Sequence, residues 1–318
     1  IGCMSGGDTI EIRGGTYPQF LGQHGPAGYP PSGSSWSSPT TIKAYRNEAV
    51  RIRPSGNHSV LTLFDSSNQY LVFDTLIFDG ANLTRDGLFV PQIITVGNGS
   101  HIRLIRSEIV NMPGGYGSIW SEGSDYQILY NIFHESYPDP AGYHDGGRKC
   151  GQTSCWGYPI YFGGSGGRIE GNTFYNFPSW GIHMYGDNKR TISNNIVNRN
   201  IFFNFGNTYW PTPAPGAAGP GDNRGTAILL SSGSNNLAMN NQISHGSKGI
   251  HLRQFNNNKA FNNTIAYMTE VGIDTEGSTG AIARSNLLYH NATHINPTFG
   301  TGATFDTNVC DVAGPGCR

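Results

Sequence analysis

A four-residue segment recurs seven times along this chain, and its regularity constrains the fold more than any other feature. The copies are Ile94-Thr95-Val96-Gly97, Ile119-Trp120-Ser121-Glu122, Ile160-Tyr161-Phe162-Gly163, Ile182-His183-Met184-Tyr185, Ile228-Leu229-Leu230-Ser231, Ile250-His251-Leu252-Arg253 and Ile273-Asp274-Thr275-Glu276. Each alternates inside and outside with period two, as a strand does. Behind each, 12 or 13 residues on, stands Ser107, Asn131, Asn172, Asn195, Asn241, Asn263 or Asn286. These residues fall where the chain must turn, and stacked side-chain amides there satisfy turn backbone that would otherwise be buried unpaired. A short unit of this kind buries its apolar face only against its neighbours, so the coils must stack.

Coils of about 22 residues, parallel strands and an Asn ladder resemble the pectate-lyase-like superfamily of right-handed parallel β-helices. The resemblance covers most of the chain and implies an all-β, single-domain solenoid over residues 1–318. The stretch Gly7-Asp8-Thr9-Ile10-Glu11-Ile12-Arg13-Gly14-Gly15-Thr16-Tyr17, followed by Pro39-Thr40-Thr41-Ile42-Lys43-Ala44, looks like the opening of β-helix proteins that act on polysaccharides. Residues 1–45 are therefore expected to form a first turn and cap, 46–300 the coils, and 301–318 the closing cap.

Only 13% of the residues are charged and the net charge is −1, so the chain has no broad electrostatic attraction for nucleic acid. No apolar run is long enough to span a membrane. The chain begins at Ile1, close to sequence that already reads as folded, so a secretory leader is expected to have been removed. Cys150 and Cys155 bracket one short loop, Cys310 and Cys317 another, and Cys3 is left over. Two local pairs fit an oxidising compartment, and their spacings are not those of a zinc site. A secreted monomer is the expectation.

Twice the interval between ladder residue and next strand expands, between Asn131 and Ile160 and between Asn195 and Ile228. Both insertions leave at the corner preceding the repeated strand, and they flank the coil of His183 and Tyr185. Long loops on a rigid scaffold are usually functional, and two on one corner should wall a groove. The first carries His144, Asp145, Arg148 and Lys149, then Cys150, Cys155 and Trp156. The second carries Tyr209 and Trp210. With Trp120 and Glu122 these residues are the expected sugar contacts, because aromatic faces stack on sugars.

Outward residues of parallel strands stack into columns about 4.8 Å apart per strand. One column should read Thr95, Trp120, Tyr161, His183, Leu229, His251, Asp274, and the next Gly97, Glu122, Gly163, Tyr185, Ser231, Arg253, Glu276. Three functions are open. A polysaccharide lyase acting on a uronate glycan needs a base near the C5 proton and a cation at the carboxylate. His183, Tyr185, Tyr161 and His251 are candidates for the first role, and Arg253, Arg148 or Lys149 for the second. The resemblance implies a Lys or Arg with Ca2+ held by acidic residues, although no Lys stands in either column. A glycoside hydrolase would use paired carboxylates, for which Asp274 and Glu276 share a strand face. The third function is a non-catalytic adhesin or surface protein, in which pairs such as His251 with Asp274 are cross-strand contacts and nothing more.

The cysteine pattern is directly testable. Peptide mapping without reductant should find Cys150 joined to Cys155 and Cys310 to Cys317. Four free thiols would remove the argument for an oxidising compartment.

Overall fold

Short strands, each ended by a tight turn, wind into successive coils that stack in register. The computed structural model describes residues 3–84, 91–112, 117–136, 143–144, 148–149, 157–186, 192–206, 225–231, 233–253, 257–297 and 301–318. Each full coil gives one strand to each of three parallel faces. The first face runs from Thr9–Ile12 through Thr40–Ala44, Gln69–Asp74 and Ser100–Ile105 to Thr304–Asp306, eleven strands among the described residues. The second includes Ile132–Ser136, Thr173–Phe177 and Ile201–Phe205, and the third includes Ile160–Phe162, Ile182–Met184 and Thr226–Leu230. Second and third faces merge where Gln242–Leu252 and Thr264–Asp274 cross the corner as continuous strands. Two strands of the first insertion, Tyr143–His144 and Arg148–Lys149, form an antiparallel pair.

All seven repeated segments lie on the third face in the expected register. Thr95, Trp120, Tyr161, His183, Leu229, His251 and Asp274 are successive partners. The column also extends back to Thr62 and forward to Asn296. The Ile of each segment points inward and is almost fully buried. Aromatic rings stack beside them, Phe133 on Phe174 at 4.7 Å and Phe174 on Phe202 at 4.6 Å. Adjacent coils thus offer each other the same apolar surface, which is how a solenoid without a conventional globular interior fills its core.

The turn between first and second faces is built from two residues. Tyr130, Arg199, Asn240, Asn262 and Ser285 adopt φ between 53° and 57°. This is the left-handed region, which costs a non-glycine residue roughly 1–2 kcal/mol. The next residue is the ladder residue, and its amide offsets that cost. The Oδ1 of Asn172 accepts the Asn131 backbone N–H at 2.8 Å and the Asn131 Nδ2 at 3.0 Å. The Asn172 Nδ2 in turn donates to Asn200 and to the carbonyl of Ile128. The series Asn131, Asn172, Asn200, Asn241, Asn263, Asn286, Asn308 repeats this pattern, and Ser107 starts it.

One expected member stands elsewhere. Asn195 belongs to a second ladder with Asn236 and Asn258, at the corner entering the first face. The two ladders run five residues apart along the chain, as with Asn236 and Asn241. The coil of Ile182 is longer by the same amount after Tyr185. That extension slides the second ladder's Asn195 into the counted position and pushes Asn200 beyond it. Thr9–Ile12, Gly15–Tyr17 and Leu21–Gly22 make a first coil in register with the second. Thr304–Asp306 and Val309–Cys310 belong to a last one, tied by a Cys310–Cys317 disulfide.

Asn200→Ala should destabilise the fold by at least about 2 kcal/mol, because it strands a buried N–H, a buried amide and a buried carbonyl. Asn195→Ala should cost a similar amount, since it too is fully buried in a ladder. Urea unfolding of the two variants checks both values. A loss under about 0.5 kcal/mol in either would mean that water replaces the amide.

Candidate functional site

The two insertions interrupt the chain just before strands of the third face. The first leaves after Ser136 and the second after Gly206, at the ends of two parallel strands of the second face that lie on either side of Thr173–Phe177. The first returns at Gly157, whose carbonyl accepts from the Ser136 hydroxyl at 3.4 Å. The second is pinched between Gly206 and Gly225, with φ of 60° and 74°. A Cβ on either would lie 2.5 Å from the Cα of the other, so neither tolerates a side chain. Asp145, Trp156, Tyr209, Trp210, Cys150 and Cys155 lie outside the described residues. His144, Arg148 and Lys149 are described only as backbone of the antiparallel pair.

Between the insertions the outward column is aromatic and largely dry. His183 is only 8% exposed, whereas its place in the column led us to expect an open groove floor. Rings of Trp180, Tyr161, Tyr158 and Tyr185 surround it, with centroids 4.9, 5.1, 5.3 and 5.6 Å away. Its Nε2 sits 3.2 Å from the Ser231 hydroxyl. Burial pushes the His183 pKa down to about 3, helped by the positive charges of Arg253 and His251, so the imidazole is neutral near pH 7. Tyr185 remains 43% exposed at the edge of this cluster. Trp120 is half-buried and meets Phe64 edge-on at 6.1 Å, and Glu122 is half-buried in the neighbouring column.

Three coils further on, the same face is charged. His251 and Asp274 are register partners, as their column position requires. Asp274 is 3% exposed and heavily engaged. Its Oδ2 accepts from Lys248 Nζ at 3.2 Å, and its Oδ1 accepts from Asn296 Nδ2 and from the Glu276 backbone N–H, both at 3.2 Å. His251 is fully buried, and burial depresses its pKa to about 4. Its Nε2 lies 3.6 Å from Glu276 Oε2 and 3.9 Å from Asp274 Oδ2, and neither ring nitrogen has a hydrogen-bond partner. Arg253 is half-buried, and its Nε also lacks a partner. Arg253 and Glu276, neighbours in the second column, form no ion pair among the described residues, and Glu276 faces His251.

Lys248 was missed by reading only two columns. It stands two residues before Ile250, in register with Thr226 and Val271, and its ammonium reaches Asp274 of the outward column. Its backbone N–H donates to Gly225, the residue at which the second insertion returns. A register shift opposite Gly246 and Lys248 adds one residue to the strand Thr264–Asp274. Glu270 falls in this bulge, with Oε2 3.9 Å from the Lys248 ammonium, and burial raises its pKa. An extra column upstream would have revealed Lys248. Nothing in the sequence marks the bulge.

Calcium, which the resemblance implies, does not suit these residues. It takes six to eight oxygens, whereas the cluster of His251, Asp274 and Glu276 offers an imidazole with two carboxylates.

The pattern of the right-handed β-helix region matches residues 143–314. No curated protein matches the chain in sequence. Among solved structures the chain is similar to pectate lyase Pel9A, with 17% identity, 96% of this chain and 72% of that one covered, and a TM-score of 0.62. It is also similar to a PL6 alginate lyase in complex with a trisaccharide, at 13% identity, 97% and 74% coverage and a TM-score of 0.58. The GH136 lacto-N-biosidase from Eubacterium ramulus shares 13% identity over 96% of this chain and 62% of that one, with a TM-score of 0.52. At these identities the likeness is one of fold.

The neutral His183 has a consequence for stability. Its folded pKa of about 3 lies below the unfolded value near 6.5, so the unfolded chain binds the extra proton between those limits. Stability contributed by this group is fully present above about pH 6.5 and falls as pH drops toward 3, at up to about 1.4 kcal/mol per pH unit. Urea unfolding between pH 7 and 4.5 should show this loss, and His183→Gln should flatten the slope. An unchanged slope would place the imidazole in water.

Proposed function

The chain belongs to the right-handed β-helix family, and we propose that it is a carbohydrate-active enzyme that cleaves a uronate-containing polysaccharide by β-elimination. The observation that carries this reading is the pairing of two cations with an exposed phenol on one sheet face. Lys248 stands on the strand Gln242–Leu252, one coil after the second insertion, Arg253 directly follows that strand, and Tyr185 lies on the Arg253 column, with Ser231 between. Successive positions of that column are about 4.8 Å apart, close to the length of a sugar unit, so a chain crossing the strands places consecutive residues over consecutive coils.

In that arrangement Arg253 and Lys248 bind the uronate carboxylate and stabilise the charge that develops on it when the C5 proton leaves. Tyr185 has an oxygen that both accepts and donates. It takes the C5 proton and returns a proton to the glycosidic oxygen as the C4–O bond breaks and a C4–C5 double bond forms. His183, neutral and walled by aromatic rings, positions the Ser231 hydroxyl and the Tyr185 ring and does not touch substrate. Asp274 orients Lys248. The fold likeness to pectate and alginate lyases is consistent with this chemistry.

The hydrolase alternative requires Asp274 to act on substrate together with Glu276, but Asp274 is buried and its oxygens serve Lys248, Asn296 and the backbone. Secretion is proposed on the Cys310–Cys317 disulfide. Among the described residues no helix is long and apolar enough to cross a membrane.

Acidic polysaccharides, pectate and alginate among them, should yield products that absorb in the ultraviolet band of unsaturated uronates. Tyr185→Phe should lower kcat by about 10²–10⁴-fold with little change in KM, and Arg253→Ala should both raise KM and lower kcat, because the guanidinium binds the carboxylate and stabilises its developing charge. Reducing ends without the absorbance would establish hydrolysis instead. Neither signal across a wide panel would favour a non-catalytic binding protein.

A further inference from the structure

The disagreement with calcium points to a different ion. His251 and Glu276 approach at 3.6 Å, and His251 and Asp274 at 3.9 Å. Both separations are too long for hydrogen bonds, which for N–H···O end near 3.2 Å. They are also unlike a packed apolar contact, because a fully buried imidazole is left with no partner at either nitrogen. Such a group is costly unless something else fills the gap. Two ligands of one tetrahedral ion, each at about 2.0–2.2 Å, stand about 3.4 Å apart. The three ligand atoms of His251, Asp274 and Glu276 all lie within 4.8 Å of one another.

We infer that His251, Asp274 and Glu276 form a site for a first-row divalent transition ion such as zinc, bound by Nε2 and one oxygen of each carboxylate. Imidazole favours such ions over calcium, whose ligands are oxygens. The carboxylates are arranged for the task. Asp274 ends its strand and Glu276 stands two residues on, in the turn that follows, and Asp274 is held by Asn296, by the Glu276 backbone N–H and by Lys248. Partners of this kind orient ligands around metals. Three carboxylates, Asp274, Glu276 and Glu270, face two cations, Lys248 and Arg253, and the local balance is negative. Glu276 is 48% exposed at its side chain and His251 fully buried, so an ion between them has one side toward the groove. Three protein ligands and one open side match a site that takes a further ligand. The metal site stands on the cluster alone. Assigning the open side to a uronate carboxylate rests on the proposed function.

The test is calorimetric titration of zinc chloride, and separately calcium chloride, into the chelator-treated chain at pH 7 with no polysaccharide present. Zinc should bind at one site, at least about tenfold tighter than calcium. Glu276→Gln, at an exposed side chain, and His251→Gln should each weaken zinc by at least about tenfold, with the far-ultraviolet circular dichroism unchanged for Glu276→Gln. The inference is overturned by absence of zinc binding, by calcium binding as tightly as zinc, or by zinc binding that Glu276→Gln leaves intact, as it would be if the ion sat where His290 and His294 both meet Asp311, each at 2.9 Å. A chain that binds zinc in this way and cleaves no polysaccharide would overturn the lyase reading and leave the metal site standing.

Discussion

The structure depends on a buried carboxamide at the corner of each coil. A solenoid turn must reverse the chain in two residues while its backbone groups point into the stack, where water does not reach. An Asn side chain meets this condition because it accepts and donates in opposite directions, toward the coils on either side. Each amide completes the hydrogen bonding of its neighbour, so the cost of a left-handed residue such as Tyr130 or Arg199 is spread over the whole ladder. Ser107 and Asn308 mark where the ladder starts and stops. Parallel sheet and stacked Phe rings then follow from the register that the ladder imposes.

A scaffold so regular makes a site only where the regularity is interrupted. The interruptions here are of three kinds. Two insertions leave from one corner, the second through paired glycines in contact. An extension after Tyr185 lengthens one coil. A single extra residue in Thr264–Asp274 shifts the register and sets Glu270 beside Lys248. All three adjoin strands of the third face, so the residues freed from the repeat gather on that surface.

That surface is divided electrostatically. Around His183 the rings of Tyr158, Tyr161 and Trp180 exclude water, and the imidazole stays uncharged. Around His251 the excluded water is replaced by charge: Lys248, Arg253, Asp274, Glu276 and Glu270 lie within two coils. The two histidines share a column and a neutral state, yet their surroundings assign them different work. His183 is packed by the rings of Tyr158, Tyr161, Trp180 and Tyr185 and faces the Ser231 hydroxyl. His251 faces two carboxylates across gaps that no hydrogen bond closes.

By itself the sequence determined the architecture, because a strand segment and a corner Asn at near-constant spacing admit few folds other than stacked coils. It also placed seven outward residues in one column in the correct order, since period two and equal coil lengths are local properties. Burial was decided only by the tertiary structure. Tyr158 and Trp180 come from turns, and their closure over His183 depends on neighbouring coils that no count along the chain brings together. Asn195 and Asn200 exchanged places in the reading because an insertion of five residues equals the offset between two ladders, a coincidence invisible without the second ladder. Lys248 and Glu270 joined the site through a bulge, which is a property of how two strands pair rather than of either strand's sequence.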